Sequence, residues 1–125
     1  MNTNDQLPKP KKEFNIHKRI FDFVVRILNL TKVLPKTQQN IILINQITRS
    51  ATSIGANGQE ADGSTSKKQF VNRFTIVKKE TKETNYWLKV ISATNPGFSK
   101  RMDPLIVEGQ EIEAIVSSIV QNSKK

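Results

Sequence analysis

The sequence predicts an all-α protein, an antiparallel four-helix bundle of up-down-up-down topology. Three observations predict it. Apolar residues recur at steps of three and four along most of the chain, which is the period of a helix with one buried face. No stretch alternates apolar and polar residues as a half-buried strand would. Short breaks at Pro35, Gly63 and Asn95-Pro96-Gly97 separate the periodic runs, and short connections set consecutive helices side by side and antiparallel. A chain of 125 residues has the length for one domain around one core.

Residues 1–12 hold two prolines with Lys9, Lys11 and Lys12 and offer little to bury. They read as a flexible basic N-terminal tail ahead of a bundle domain over 13–122. From Glu13 onward the spacing is helical: Ile16, Ile20, Phe23, Ile27, Leu30 and Leu34 form one stripe. Pro35 ends this helix, because proline disfavours the helical conformation in the residue before it.

Thr37 is a candidate N-cap for the second helix, whose stripe is Ile44, Ile47, Ala51, Ile54 and Gly58. Asn57-Gly58 is a turn signal by itself. The apolar period runs through it, so the helix is expected to reach about Ala61 and stop at Gly63. Ser66 and Gln69 have the spacing of a capping box and open a third helix with the stripe Phe70, Phe74, Val77, Thr81, Thr84, Leu88 and Ile91. Asp103-Pro104 predicts the start of the fourth, a capping carboxylate followed by proline at the first helical position. Its stripe is Leu105, Ile112, Ile115 or Val116, and Ile119. Each helix is expected to run about 30 Å at ~1.5 Å per residue.

The net charge is +9, and it is concentrated. Residues 1–36 carry eight Lys or Arg against Asp5, Glu13 and Asp22, and residues 66–94 carry seven against Glu80 and Glu83. The other two segments are near balance. Concentrated basic surface is the footprint of a polyanion binder. Lys12, Arg19 and Arg26 recur every seven residues and define one face of the first helix. Lys68, Lys79 and Lys82 point away from the apolar stripe of the third. These six residues are the candidate nucleic-acid-binding set, two basic stripes able to track phosphates without reading bases. The competing reading is two solvated faces, with Asp22 offsetting Arg19 and Arg26.

Residues 49–60, Arg-Ser-Ala-Thr-Ser-Ile-Gly-Ala-Asn-Gly-Gln-Glu, are unusually rich in small side chains. Arg49, Ser53, Ala56 and Glu60 fall on a second line, away from Ile47, Ala51 and Ile54. A purely solvated face carries more Lys and Glu, so this line predicts an oligomer interface, with Arg49 and Glu60 pairing across it.

The run Arg49-Ser-Ala-x-Ser-Ile-x-Ala-Asn57-x-x-Glu60, followed by Phe70 and by Glu83-Thr-Asn-Tyr-Trp-Leu88, resembles the bacterial four helix bundle proteins. That family includes proteins encoded in intervening sequences of large-subunit rRNA genes and relatives of the accessory variability determinant of diversity-generating retroelements. The resemblance covers roughly Ile16 to Val120. It implies a four-helix protomer assembled as a homopentameric barrel, with a basic surface for nucleic acid or for a reverse transcriptase. The chain departs from the pattern at Gly58, where the family usually has an aliphatic residue, and at Ala61, where it usually has glycine.

Catalytic constellations are missing from the sequence. His17 is the only histidine and there is no cysteine, so neither a His-based metal cluster nor a thiolate site can form within one chain. The paired Glu-x-x-His motif of di-iron bundles does not occur, nor does a glycine-rich phosphate loop. Glu60, Glu80, Glu83, Glu108 and Glu111 read as solvated or salt-bridged. Glu108 borders the core and is expected to pair with Arg49 or Arg73. Tyr86 and Trp87 could stack on bases, although an aromatic pair beside Leu88 is more often edge packing.

No apolar run approaches the ~20 residues that span a bilayer, and Met1 to Lys12 lacks an apolar signal core. The expectation is a cytoplasmic, non-enzymatic protein without cofactor or metal. Its expected partners are copies of itself and RNA or DNA, with a reverse transcriptase as the further candidate. The alternatives are an adaptor whose basic face docks an acidic protein, and an enzyme with a carboxylate site between subunits.

Overall fold

The computed structural model describes residues 15–124. The expected tail over 1–12, the helical start at Glu13 and the candidate Lys12 lie outside the described residues. Four helices follow one another: α1 (Ile16–Val33), α2 (Gln38–Asp62), α3 (Lys67–Thr94) and α4 (Ser99–Ser123), with a single 3-10 turn at Pro96–Phe98 before the last. Each helix packs on its neighbours in the ring order α1, α2, α3, α4 and back to α1. At ~1.5 Å per residue α1 is about 27 Å long and the others about 37 to 42 Å, so only α1 matches the expected length.

Local chemistry sets the ends. The Asn15 side chain accepts from the backbone N–H groups of His17 and Lys18 and starts α1. Lys36 Nζ donates to the carbonyls of Thr31 (2.9 Å) and Leu34 (2.7 Å), satisfying acceptors left open where Pro35 stops the helix. Thr37 Oγ1 caps α2 through Asn40 N–H at 3.1 Å. Through Asn57-Gly58 the helix continues unbroken to Asp62, and Gly63 ends it. Ser66 caps α3 through Gln69 N–H at 3.1 Å. The returning half of the box lands one residue early, where Gln69 Oε1 accepts from Thr65 N–H at 3.2 Å.

The fourth helix begins at Ser99 and not at Asp103, and Pro104 lies inside it. The 3-10 turn feeds directly into the helix, and Ser99 Oγ donates to Ser92 O of α3 at 2.9 Å. Starting early buries Met102, which is 1% exposed. That burial outweighs the local Asp-Pro signal, because Pro104 removes only one intrahelical donor near the helix start. The α4 stripe is accordingly Met102, Leu105, Gly109, Ile112, Val116 and Val120, with Ile115 and Ile119 half-buried.

Phe23, Ile27, Ile47, Ile54, Phe74, Leu88, Ile91 and Ile112 fill the core. Polar groups inside it are mostly small and hydrogen-bonded, with Asn85 Oδ1 the exception among the described residues. Thr84 Oγ1 donates to Ser50 Oγ at 2.7 Å where α2 meets α3. Asn40 and Asn95 exchange reciprocal amide hydrogen bonds of 2.9 and 3.0 Å, joining the first turn of α2 to the end of α3. Asn85 donates to Gly109 O at 2.9 Å and to Glu113 Oε1 at 2.8 Å. A side chain at Gly109 would meet Asn85 Oδ1 at 2.1 Å, so glycine is what lets α4 approach α3 here.

Candidate functional site

Most of the glutamates are engaged at the seams between helices. Between α1 and α4, Arg19 Nε donates to Glu108 Oε2 at 3.0 Å, and its Nη2 donates to Glu108 Oε1 at 2.6 Å and Glu111 Oε1 at 2.7 Å. Arg19 is 9% exposed. The Glu108 hydrogen bond raises its pKa further above the arginine range, burial opposes this, and Glu111 adds to it. Arg19 is therefore not a nucleic-acid contact but the lock of the seam. Glu108 pairs with Arg19 and not with Arg49 or Arg73, because the α1–α4 contact brings Arg19 over the Glu108/Glu111 step of three residues.

The seam between α2 and α3 is built similarly. Arg49 pairs with Glu80 at 3.5 Å and more closely with Glu83. The Trp87 indole N–H donates to Glu83 Oε2 at 3.0 Å. That bond first, and Arg49 second, hold the Glu83 carboxyl below its ordinary range, while the Glu83 hydrogen bond raises the Arg49 guanidinium. One end of the same seam carries Arg73, which pairs with Glu60 at 2.8 Å and donates to Asn57 Oδ1 at 3.1 Å. Of the four residues assigned to a subunit interface, Arg49 and Glu60 thus pair within the chain. Ser53 is half-buried and receives the Asn57 amide at 3.1 Å, and Ala56 is exposed.

The exposed face of α3 is basic. Lys68, Lys79, Lys82 and Lys89 are exposed on α3. Among the described residues only Lys82 of these forms an ion pair, with Glu113 at 3.9 Å, while Lys79 acts on Glu83 through its charge. Tyr86, 59% exposed, stands among them. Arg26 is exposed and shares with Asn29, Arg101 and Met102 a shallow notch of about 200 Å³ between α1 and α4. Neither Arg26 nor Arg101 has an ion pair among the described residues. The predicted set therefore divides. Lys68, Lys79 and Lys82 lie on one helix face, Arg26 lies at a separate seam, and Arg19 is withdrawn into the protein. Lys89 and Arg101 were not predicted, although Lys89 lies seven residues beyond Lys82 and that spacing could have found it.

Among the described residues no three His, Asp or Glu side chains come together as a metal site would require. No helix there is long and apolar enough to cross a membrane.

The fold and its surfaces define a class: small basic four-helix bundles with glutamate–arginine pairs between helices. The chain belongs to the 23S rRNA-intervening sequence protein family, whose sequence model matches residues 12–118. Among solved structures it is similar to a protein of unknown function from the S23 ribosomal protein family of Bacteroides thetaiotaomicron VPI-5482. The two are 35% identical, with a TM-score of 0.76 over 84% of this chain and 97% of that one. No curated protein matches.

Proposed function

We propose that this protein binds nucleic acid without catalysis and without sequence selection, through the outer face of α3. The observation that carries the reading is the distribution of charge. Ion pairs at the seams engage Glu60, Glu80, Glu83, Glu108 and Glu111, and among the described residues Lys68, Lys79 and Lys89 form no salt bridge. Lysines on a helix face read phosphate charge and not base edges. The notch holding Arg26 and Arg101 is a second place for a phosphate.

Self-association supports this role. The outward residues of α2 from Gln38 to Gln59 include a single charge, Arg49, already paired within the chain, and Ile41 and Ile42 are 48% and 59% exposed. On α1, Phe21 is 67% exposed. An uncharged, partly apolar face suits a second copy of the chain, and the pentamer implied by the family resemblance would repeat the α3 stripe five times, so that weak contacts sum. Accessory binding to a reverse transcriptase is the more specific form of the proposal.

Fluorescence anisotropy with labelled RNA and DNA across a salt series tests the reading. Binding should weaken steeply with salt, by a log–log slope of ~0.7 to 0.9 per phosphate contacted. Joint reversal of Lys68, Lys79 and Lys82 to glutamate should abolish it without changing the mass seen in sedimentation equilibrium. Absence of binding at low salt would overturn the proposal and favour an acidic protein as the partner. A monomer in sedimentation would remove self-association.

A further inference from the structure

Tyr86 is the one large aromatic side chain that stands exposed within the α3 lysine row. Lys82 precedes it by four residues and Lys89 follows by three, the spacings that place side chains on one helix face. Lys79 lies one further turn away. Both flanking lysines are within about one helical turn, ~5.4 Å, of the ring along the axis. A nucleotide with its base on the ring would have phosphates within their reach.

The ring is also held in place. It meets Trp87 edge to face, with centroids 5.1 Å apart and planes at 67°. Trp87 is half-buried and tied through its indole N–H to Glu83, which Arg49 of α2 grips in turn. A tyrosine braced along one side keeps an open π-face without the loss of side-chain freedom that a mobile ring would incur on binding. Edge packing, the ordinary explanation of such a pair, applies to Trp87 and leaves Tyr86 uncovered.

We propose that Tyr86 is a stacking platform for an unpaired nucleobase, so that the α3 face prefers single-stranded to fully paired nucleic acid. The inference rests on the nucleic-acid reading above and sharpens it. Stacking on an aromatic side chain tolerates any base, because each has a π-face. It therefore adds strand selectivity without sequence selectivity. A duplex offers only phosphates to the lysines, its bases being already stacked.

The test is anisotropy of the full chain with a labelled 12-nucleotide RNA and with the blunt duplex of the same sequence, at two salt concentrations. The single strand should bind more tightly. Tyr86→Ala and Tyr86→Leu should each lose about tenfold on the single strand, with duplex affinity and salt slope unchanged, and Tyr86→Phe should retain the parent's binding. Thermal melts confirm that the variants are folded, as a change at an exposed site should leave them. Equal, salt-dependent binding of both RNAs by parent and Tyr86→Ala would overturn stacking and leave the charge reading standing. No binding of either RNA would overturn both. A Tyr86→Ala protein of altered mass in sedimentation equilibrium would put the ring between copies of the chain and also overturn the platform.

Discussion

Arg19 and Arg26 stand seven residues apart on one line of α1, and both face the seam with α4. At the first, α4 presents Glu108 and Glu111, and the guanidinium is enclosed by three hydrogen bonds. At the second, α4 presents Arg101, and a shallow notch stays open. Identical side chains on the same stripe therefore serve opposite ends: one closes the protein on itself, and the other leaves charge for something else to neutralise. The period of a basic stripe locates a face, and the neighbouring helix decides whether that face is available.

This comparison is open to attack by substitution. Arg19→Ala should have the largest effect, about 3 kcal/mol of lost stability, because it takes the cation from the partly buried Glu108 carboxylate. Urea denaturation would measure it, and a loss under ~0.5 kcal/mol would mean the lock is superficial. Glu108→Gln keeps the shape and the Glu111 pair, so it should cost roughly 1.5 kcal/mol in the same assay. Gly58 lies near the Arg19 end of α1, where an added Cβ would rest 3.8 Å from Ile20 and 3.9 Å from His17. Gly58→Ala should raise stability by about 0.5 to 1 kcal/mol, and a lower melting temperature would show that this end is already packed to its limit. Arg26→Ala should change stability by less than ~0.5 kcal/mol while weakening polyanion binding, which makes it the counterpart of Arg19→Ala.

The smallest effect is a slope in the α2–α3 seam. Glu83 is held below its ordinary value of 4.5 by Trp87 and then Arg49. As pH falls below that value the unfolded chain takes up a proton first, so stability is lost as pH drops through the lowered folded value. Glu83→Gln should flatten this acid limb in melts between pH 5 and pH 2, and an unchanged limb would assign it to other carboxylates.

Much of the fold was legible from apolar spacing alone. Ile20, Phe23, Ile27, Leu30 and Leu34, then Ile47, Ala51, Ile54 and Gly58, then Phe74, Val77, Thr81, Thr84, Leu88 and Ile91 were predicted to face inward and are buried. The continuation of α2 through Asn57-Gly58 was legible for the same reason, since a period carried by the core outweighs a turn preference. The start of α4 was not, because the Asp-Pro signal is local whereas the value of Met102 depends on a core formed by other helices. Arg19 was misread because a seven-residue repeat drifts only ~20° per step around a helix. Arg19 and Arg26 are nearly equivalent on α1, and what separates them lies about ninety residues away in sequence. The Glu108/Glu111 pair beside the α4 stripe was the available signal, since carboxylates at a core border need a cation. The lysines of α3 were readable because exposure needs only distance from the stripe.

The reciprocal amide pair of Asn40 and Asn95 makes the two connections at one end of the bundle a single hinge pin. Asn40 also holds Pro35 O, and Asn95 also holds Ile91 O, so neither loop can swing without breaking the bonds of the other. Under native-state hydrogen exchange the amides of Ile41 and Phe98, which bond to Thr37 and Asn95, should open together at a common rate. Asn40→Ala should release them to exchange separately, turning one clasped end into two independently breathing loops.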